Sequence, residues 1–349
     1  MSKGDIGSAR QYIPIRPDWL ARVDEPILEP DLAIVDPHHH LWDRPNWRYM
    51  LDDLLADTDT GHNIIATVFV QCRAFHREGG PQELRPIGES EFVAGVAAMC
   101  ESGTYGAIRA GAGIVSHADM MLGGDVERVL DAHIAVDGGR FRGIRHITAW
   151  DADATLMNPS YRPSEHQMAE PAFRDGLKTL GRMGLTFDAW LYHPQIGDLT
   201  AAARDCPDTD MVLDHVGGPL AIGPYAGKRD DIFPAWAASI KELATCPNVT
   251  VKLGGLGMAI NGFGFEDHAD PPTSQALADA WRPYFETCIE AFGPQRCMFE
   301  SNFPVDKGSY SYPVFWNACK RIAAGASAAE KQALFSATAK RFYNLSNIN

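Results

Sequence analysis

Residues 32–43 read LAIVDPHHHLWD. An apolar run, Leu32 to Val35, stops at an aspartate, a proline and three consecutive histidines. Inside a buried strand, three adjacent imidazoles would each need a hydrogen-bond partner. At a strand end they are placed for chemistry, and the same punctuation recurs downstream. Apolar runs that end in polar residues appear at NIIATVFVQC (63–72), RAGAGIVS (109–116), FRGIRHIT (141–148) and LTFDAWLYH (185–193). Three more follow, MVLDHVGG (211–218), NVTVKLGG (248–255) and RCMFESNFP (296–304).

Between these runs lie segments with helical periodicity, at 88–102, 124–136, 171–183, 195–206, 231–246 and 274–292. Pro283 is expected to kink or break the last of them. Two further helices, 312–325 and 327–345, close the chain, the second opening on a capping box from Ser327 to Glu330. Strands alternating with helices predict an α/β fold, a parallel (β/α)8 TIM barrel. An open doubly wound sheet is the alternative, but no GxGxxG follows the first strand. Four prolines at 14, 17, 26 and 30 suggest that residues 1–31 form an extended arm, leaving 32–349 as the barrel domain. Loops at 43–62, 149–170 and 256–273 are expected to decorate it.

The 349 residues carry a net charge of −14, which argues against a nucleic-acid partner. The seven cysteines are scattered, with no CxxC, as expected of reduced thiols. The N-terminus lacks the apolar core of a signal peptide, and no stretch is long enough to span a membrane. The chain is therefore expected to be cytoplasmic, with a small-molecule substrate and a homodimer or higher homo-oligomer as its assembly.

In such a barrel, functional groups project from the C-terminal strand ends. The polar residues there are Asp36 and His38–His40, then Gln71, Arg145 and His146, and His193. Asp214 and His215, Lys252, and finally Glu300, Asn302 and Asp306 complete the set. Alternate residues on a strand share a face, so His38 and His40 converge while His39 turns outward or into the loop. Two such imidazoles, a histidine from a middle strand and a strand-eight carboxylate compose a site for Zn²⁺ or a similar divalent ion. Each residue also has a plainer reading. His193 could cap a helix, His215 could be a satisfied core histidine, and Lys252 and Arg145 could be ion partners inside the barrel. His62, His76, His117, His133, His166 and His268 have no strand-end placement and read as surface or loop residues. The tryptophans, Trp42 and Trp190 among them, read as core or pocket wall.

VDPHHHLWD, GIRH, LDHVGGP, VKLGGL and RCMFESNFPVD together resemble the amidohydrolase-2 family over residues 32–345. The resemblance is to its lactonase-type branch, which includes L-fuconolactonase, 2-pyrone-4,6-dicarboxylate lactonase and 4-sulfomuconolactone hydrolase. It implies His38, His40, His193 and His215 as metal ligands, though not every member of the branch uses a metal. It also implies that Arg145 grips a substrate carboxylate bidentately. The family's strand-eight motif is G-S-D-x-P, whereas here Asn302 stands at the aspartate position, with Glu300 and Asp306 as the nearest carboxylates.

The expected activity is hydrolysis of a lactone of a small carboxylated compound. His215 or Glu300 would act as base, and Arg145 and Lys252 would orient the substrate and offset carbonyl charge. Asn302 belongs to the same catalytic group, while His146, Trp42, Gln71 and Asp306 are expected to contact substrate. A decarboxylase or hydratase of an aromatic or unsaturated carboxylic acid is the second reading. A non-catalytic ligand-binding barrel, owing to Asn302, is the third.

Overall fold

The computed structural model describes residues 12–158, 160–346 and 348. Eight parallel strands form one sheet in sequence order. They are β1 (Ile34–His39), β2 (Ile64–Val70), β3 (Arg109–Ser116), β4 (Phe141–Arg145), β5 (Thr186–Ala189), β6 (Met211–Leu213), β7 (Val249–Leu253) and β8 (Cys297–Phe299). The barrel closes just beyond the last ladder. His40 N donates to the Phe303 carbonyl at 2.8 Å, and Asn302 N donates to the His38 carbonyl at 3.0 Å. The seam thus runs along the histidine run itself.

Helices follow the strands in alternation: α1 (Leu51–Thr58), α2 (Ile87–Glu101), α3 (Glu127–Val136), α4 (Pro171–Arg182), α5 (Ile196–Asp205), α6 (Arg229–Leu243), α7 (Ser274–Phe292) and α8 (Tyr312–Ile322). The fold is the expected TIM barrel. None of the described helices is long and apolar enough to cross a membrane. All seven cysteines are free and buried.

Alternation across each strand sorts the side chains. Ile34, Phe69, Ile114, Ile144, Phe187 and Leu213 face the helices and join the main core. Val35, Val68, Val115, Val212 and Met298 cluster separately, together with Tyr343 and Leu345. They fill the barrel's lower interior, which the C-terminal segment plugs. Two residues further up several strands, the interior turns from apolar to charged, and this layer carries the site.

Some expectations are corrected. The segment 43–62 is not a plain loop, because Trp42–Arg44 and Trp47–Tyr49 pair as a two-stranded ribbon that leads into α1. Helix α7 runs unbroken through Pro283. Pro283 and Asp279, whose carbonyl loses its partner, are both exposed, so water can take over the missing bond. The closing helix does begin with the Ser327–Glu330 capping box, but a π-helical turn at Ala333–Ala337 interrupts it. Phe335 in that turn packs on Phe299 of β8. In the N-terminal segment, Pro17–Leu20 form a helical turn, and Glu25 accepts from Ser274 N at 2.8 Å. The expected arm's residues 1–11 lie outside the described residues.

Candidate active site

The charged layer inside the barrel is built by parity. Thr186 and Asp188, Val212 and Asp214, Thr250 and Lys252, and Met298 and Glu300 are spaced by two on their strands, so each charged group follows its predecessor inward. Lys252 Nζ lies 2.7 Å from Asp188 Oδ2, 3.0 Å from Asp214 Oδ1 and 4.0 Å from Glu300 Oε2. Burial opposes the ammonium charge, but these three carboxylates outweigh it and hold the group above its ordinary value. Burial in turn raises Asp188 to about 6. Lys252 is completely buried and lies outside the cavity's described lining, a placement that fits an interior ion partner.

Above this floor three imidazoles meet. The His38 ring centroid lies 4.6 Å from that of His215 and 4.9 Å from that of His40. Glu300 joins two of them, with Oε2 2.6 Å from His38 Nδ1 and Oε1 2.6 Å from His215 Nδ1. A carboxylate accepts, so both rings carry hydrogen on Nδ1 and a lone pair on Nε2. At His38 that lone pair receives Arg145 Nη1 at 3.1 Å. Burial depresses His215 to about 3, with Arg145 and Lys252 adding to the effect against Asp214, so the ring stays neutral. Glu300 is itself buried beneath the rings, and burial pushes its carboxyl well above the usual range. It orients His215 and lies outside the cavity lining.

The loop that presents His215 has an unusual backbone. Four successive residues, His215 to Gly218, have φ of 55°, 48°, 75° and 51°. For His215 and the β-branched Val216 this costs about 1–3 kcal/mol each. At Gly218 a Cβ would stand 2.6 Å from the Leu191 carbonyl, so glycine is required there. The His215 ring leaves no room for a Cβ on Gly255 either.

A cavity of about 390 Å³ opens above these groups. Its lining includes His40, Trp42, Arg145, Trp190, His215 and Asn302. Arg44 and Arg73 stand at its wall, and its described lining contains no aspartate or glutamate. Arg44 stacks on Trp42 and donates to the Cys72 carbonyl at 2.6 Å, while Arg73 stacks on Tyr161.

Several expected site residues fall elsewhere. His146 follows Arg145, so its side chain leaves on the opposite face. It accepts from Met120 N at 3.1 Å and packs on Phe173 beneath α4, away from the cavity. His193 does not join the other imidazoles. The β5 ladder ends at Ala189, and His193 begins a 3-10 turn where Nδ1 accepts from Leu220 N at 3.2 Å. Gln71 accepts from the Tyr161 hydroxyl at 3.2 Å and reaches the cavity only through that ring. Asp306 is buried and accepts from Asn302 Nδ2 at 2.9 Å, so it supports a lining residue and is not one itself. His39 ends β1 and is fully buried, with Nε2 2.8 Å from Thr67 Oγ1. His133 is no surface residue; it is buried on α3 between Ser90 Oγ and the His117 carbonyl. His62 is also buried, beside Lys320 Nζ at 2.8 Å.

His38, Asp214 and His215 offer ligand atoms that all lie within 4.8 Å of one another, so this buried group could hold a metal ion. The donor types fit, two imidazoles and a carboxylate, although His38 Nε2 already faces Arg145 Nη1 at 3.1 Å and Asp214 Oδ1 faces Lys252 Nζ at 3.0 Å. Arg145 Nη1, 3.9 Å from Asp214 Oδ2, and Lys252 border the same space, so an ion would share Asp214 with two fixed cations. His40 is not in the group; its Nδ1 meets the Val70 carbonyl at 2.7 Å and its Nε2 faces the Asn302 amide oxygen at 3.3 Å. Asp188 is the member of the centre that the strand-end pattern did not single out, while Asp214 was among the strand-end residues but was given no role. An acidic residue inside an otherwise apolar run, as in TFDAW, was the available signal.

The sequence profile described as Amidohydrolase matches residues 35–345. An uncharacterized protein, y4mH of Sinorhizobium fredii, is 34% identical over 337 residues, covering 90% of this chain and 99% of that protein. An L-fucono-1,5-lactonase of Burkholderia multivorans is 28% identical over 327 residues, covering 89% of this chain and 96% of that enzyme. Among solved structures, an amidohydrolase from Burkholderia multivorans with bound zinc superposes with a TM-score of 0.68 at 24% identity, covering 89% of this chain and 99% of that one.

Proposed function

The chain belongs to the amidohydrolase family of hydrolases, and from that premise we propose that it opens a lactone of a small carboxylated compound. The observation that carries this reading is the pairing of His215 with Arg145 at one cavity wall. Glu300 holds the proton of His215 on Nδ1, which leaves Nε2 with a free lone pair. That nitrogen takes a proton from water as the water attacks the ester carbonyl. The Arg145 guanidinium stands beside it and offsets charge on the carbonyl oxygen. As the ring opens, the alkoxide leaving group recovers a proton from the imidazolium.

The charge of the lining supports an anionic substrate. Arg44, Arg73 and Arg145 converge with no carboxylate among the described lining residues, in a chain whose net charge is −14. Trp42, Tyr161 and Trp190 supply apolar surface for the rest of the molecule. A divalent ion on His38, Asp214 and His215 would be an alternative to His215 acting as base, because it would take the same lone pair; when bound it would supply Lewis-acid polarisation of the carbonyl. The L-fucono-1,5-lactonase relative favours this reaction class.

The test is ring opening on a panel of neutral and carboxylated lactones, before and after dialysis against a chelator. Carboxylated members should be opened preferentially. Release of CO₂ from an aromatic carboxylic acid, with every lactone untouched, would replace this reading with the decarboxylase one.

A further inference from the structure

At the barrel seam a chain of polar groups needs one more proton than a neutral histidine and an ionised aspartate provide. His40 Nδ1 lies 2.7 Å from the Val70 carbonyl, which only accepts, so Nδ1 carries hydrogen. In a neutral ring Nε2 is then a bare lone pair. Facing it at 3.3 Å is the Asn302 amide oxygen, and the amide nitrogen meets Asp306 Oδ1 at 2.9 Å. In that orientation two lone pairs oppose each other unless His40 is an imidazolium. Nothing around the ring supports that charge: His40 is buried, and its described hydrogen-bond contacts are the Val70 carbonyl and the Asn302 amide, with no carboxylate among them.

A half-turn of the amide exchanges oxygen and nitrogen at almost no steric cost. The nitrogen then donates to His40 Nε2, and the oxygen faces Asp306 Oδ1, which must now donate. The surroundings of Asp306 allow it. Its Oδ2 already accepts from the Tyr310 hydroxyl at 2.5 Å and Gly257 N at 3.0 Å, which leaves Oδ1 for a proton. Among the described residues no cationic side chain pairs with it, and its charged neighbour Glu300 repels a second anion.

We propose that Asp306 is a buried neutral acid whose proton turns the Asn302 amide nitrogen toward His40 and the cavity. Asn302 is thereby a hydrogen-bond donor to the substrate's carbonyl oxygen, and Asp306 is its positioning residue. One amide hydrogen engages His40, and the other has no partner among the described residues at the cavity wall. The donor role rests on the hydrolase reading above; the proton and the amide orientation do not. Burial raises Asp306 to about 7, against the hydrogen bonds from Tyr310, Gly257 and Asn302. Below that pH the acid keeps its proton. As pH rises through it, the carboxylate reclaims the N–H, the amide turns back and the donor is lost.

Infrared difference spectra of the full chain need no substrate. They should contain a carboxylic-acid carbonyl band that fades as pH rises through about 7 and is absent from Asp306→Asn. Tyr310→Phe, which removes the hydroxyl from the acid's other oxygen, should shift the same band and assign it a second way. On a lactone the enzyme opens, Asp306→Asn should lose the alkaline fall of kcat seen in the native protein, because its amide donates to Asn302 at every pH. Asn302→Ala should lower kcat by about a hundredfold or more with a smaller change in KM. Absence of the band in the native protein below neutral pH, or an unchanged alkaline limb in Asp306→Asn, overturns the proposal. The band in a protein that opens no lactone upholds the proton and the amide orientation and overturns only the hydrolase reading.

Discussion

The floor of the site and its rim are both charged, and they hold their charges differently. On the floor, Lys252 is enclosed by Asp188, Asp214 and Glu300 with all four side chains fully buried. The hydroxyl of Tyr343, rising from the C-terminal plug, donates to Asp188 at 2.7 Å. On the rim, Arg44 and Arg73 engage backbone carbonyls and aromatic faces and have no carboxylate beside them in the lining. A buried charge with its partners removed is costly, whereas a rim charge bound only to carbonyls is free to attract an anion. The floor therefore orients His38 and His215 through Glu300, and under the proposed function the rim charges select what binds.

Substitutions can break that division. His215 stands where the two regions meet, and His215→Ala should reduce kcat by about 10²–10⁴-fold, read from steady-state kinetics on an accepted lactone. Unchanged turnover would remove His215 from the chemistry. Lys252→Met strips the floor of its cation and should destabilise the protein by about 3–5 kcal/mol in chemical denaturation. A loss below about 1 kcal/mol would mean the floor is not a mutually dependent network. Arg73→Ala should raise KM by about tenfold for a carboxylated lactone, leave KM for a neutral one unchanged and leave the melting temperature unmoved. Equal effects on both substrates would deny the rim its selectivity. His193→Ala should cost about 1 kcal/mol, the hydrogen bond to Leu220 N, and change neither turnover nor bound metal measured by elemental analysis.

The barrel was legible because eight apolar runs each end in polar residues, a rhythm that survives even when both faces of a strand are buried. That same double burial hides parity. A parallel strand has little apolar–polar alternation, so nothing in GIRH tells which of Arg145 and His146 points inward. His38, His40 and His215 were readable because ligand-like residues at short spacing are rare in such runs. His193 was misplaced because LTFDAWLYH stays apolar for three residues after the ladder stops at Ala189. Helix α1 was hidden by its length of only eight residues and its three acidic groups, Asp52, Asp53 and Asp57, near the start of a loop-like segment. The relation between Asn302 and Asp306 depends on a turn in which Asn302 has a φ of 56°, a geometry no spacing rule supplies.

The seam between β1 and β8 has a consequence for synthesis on the ribosome. Backbone bonds from His40 to Phe303 and from Asn302 to His38 join the first strand to the last. A nascent chain that ends before residue 297 already contains every imidazole of the centre but lacks Glu300, Asn302 and Phe303, which hold His38, His40 and His215. The centre is therefore completed only when the final strand docks against the first.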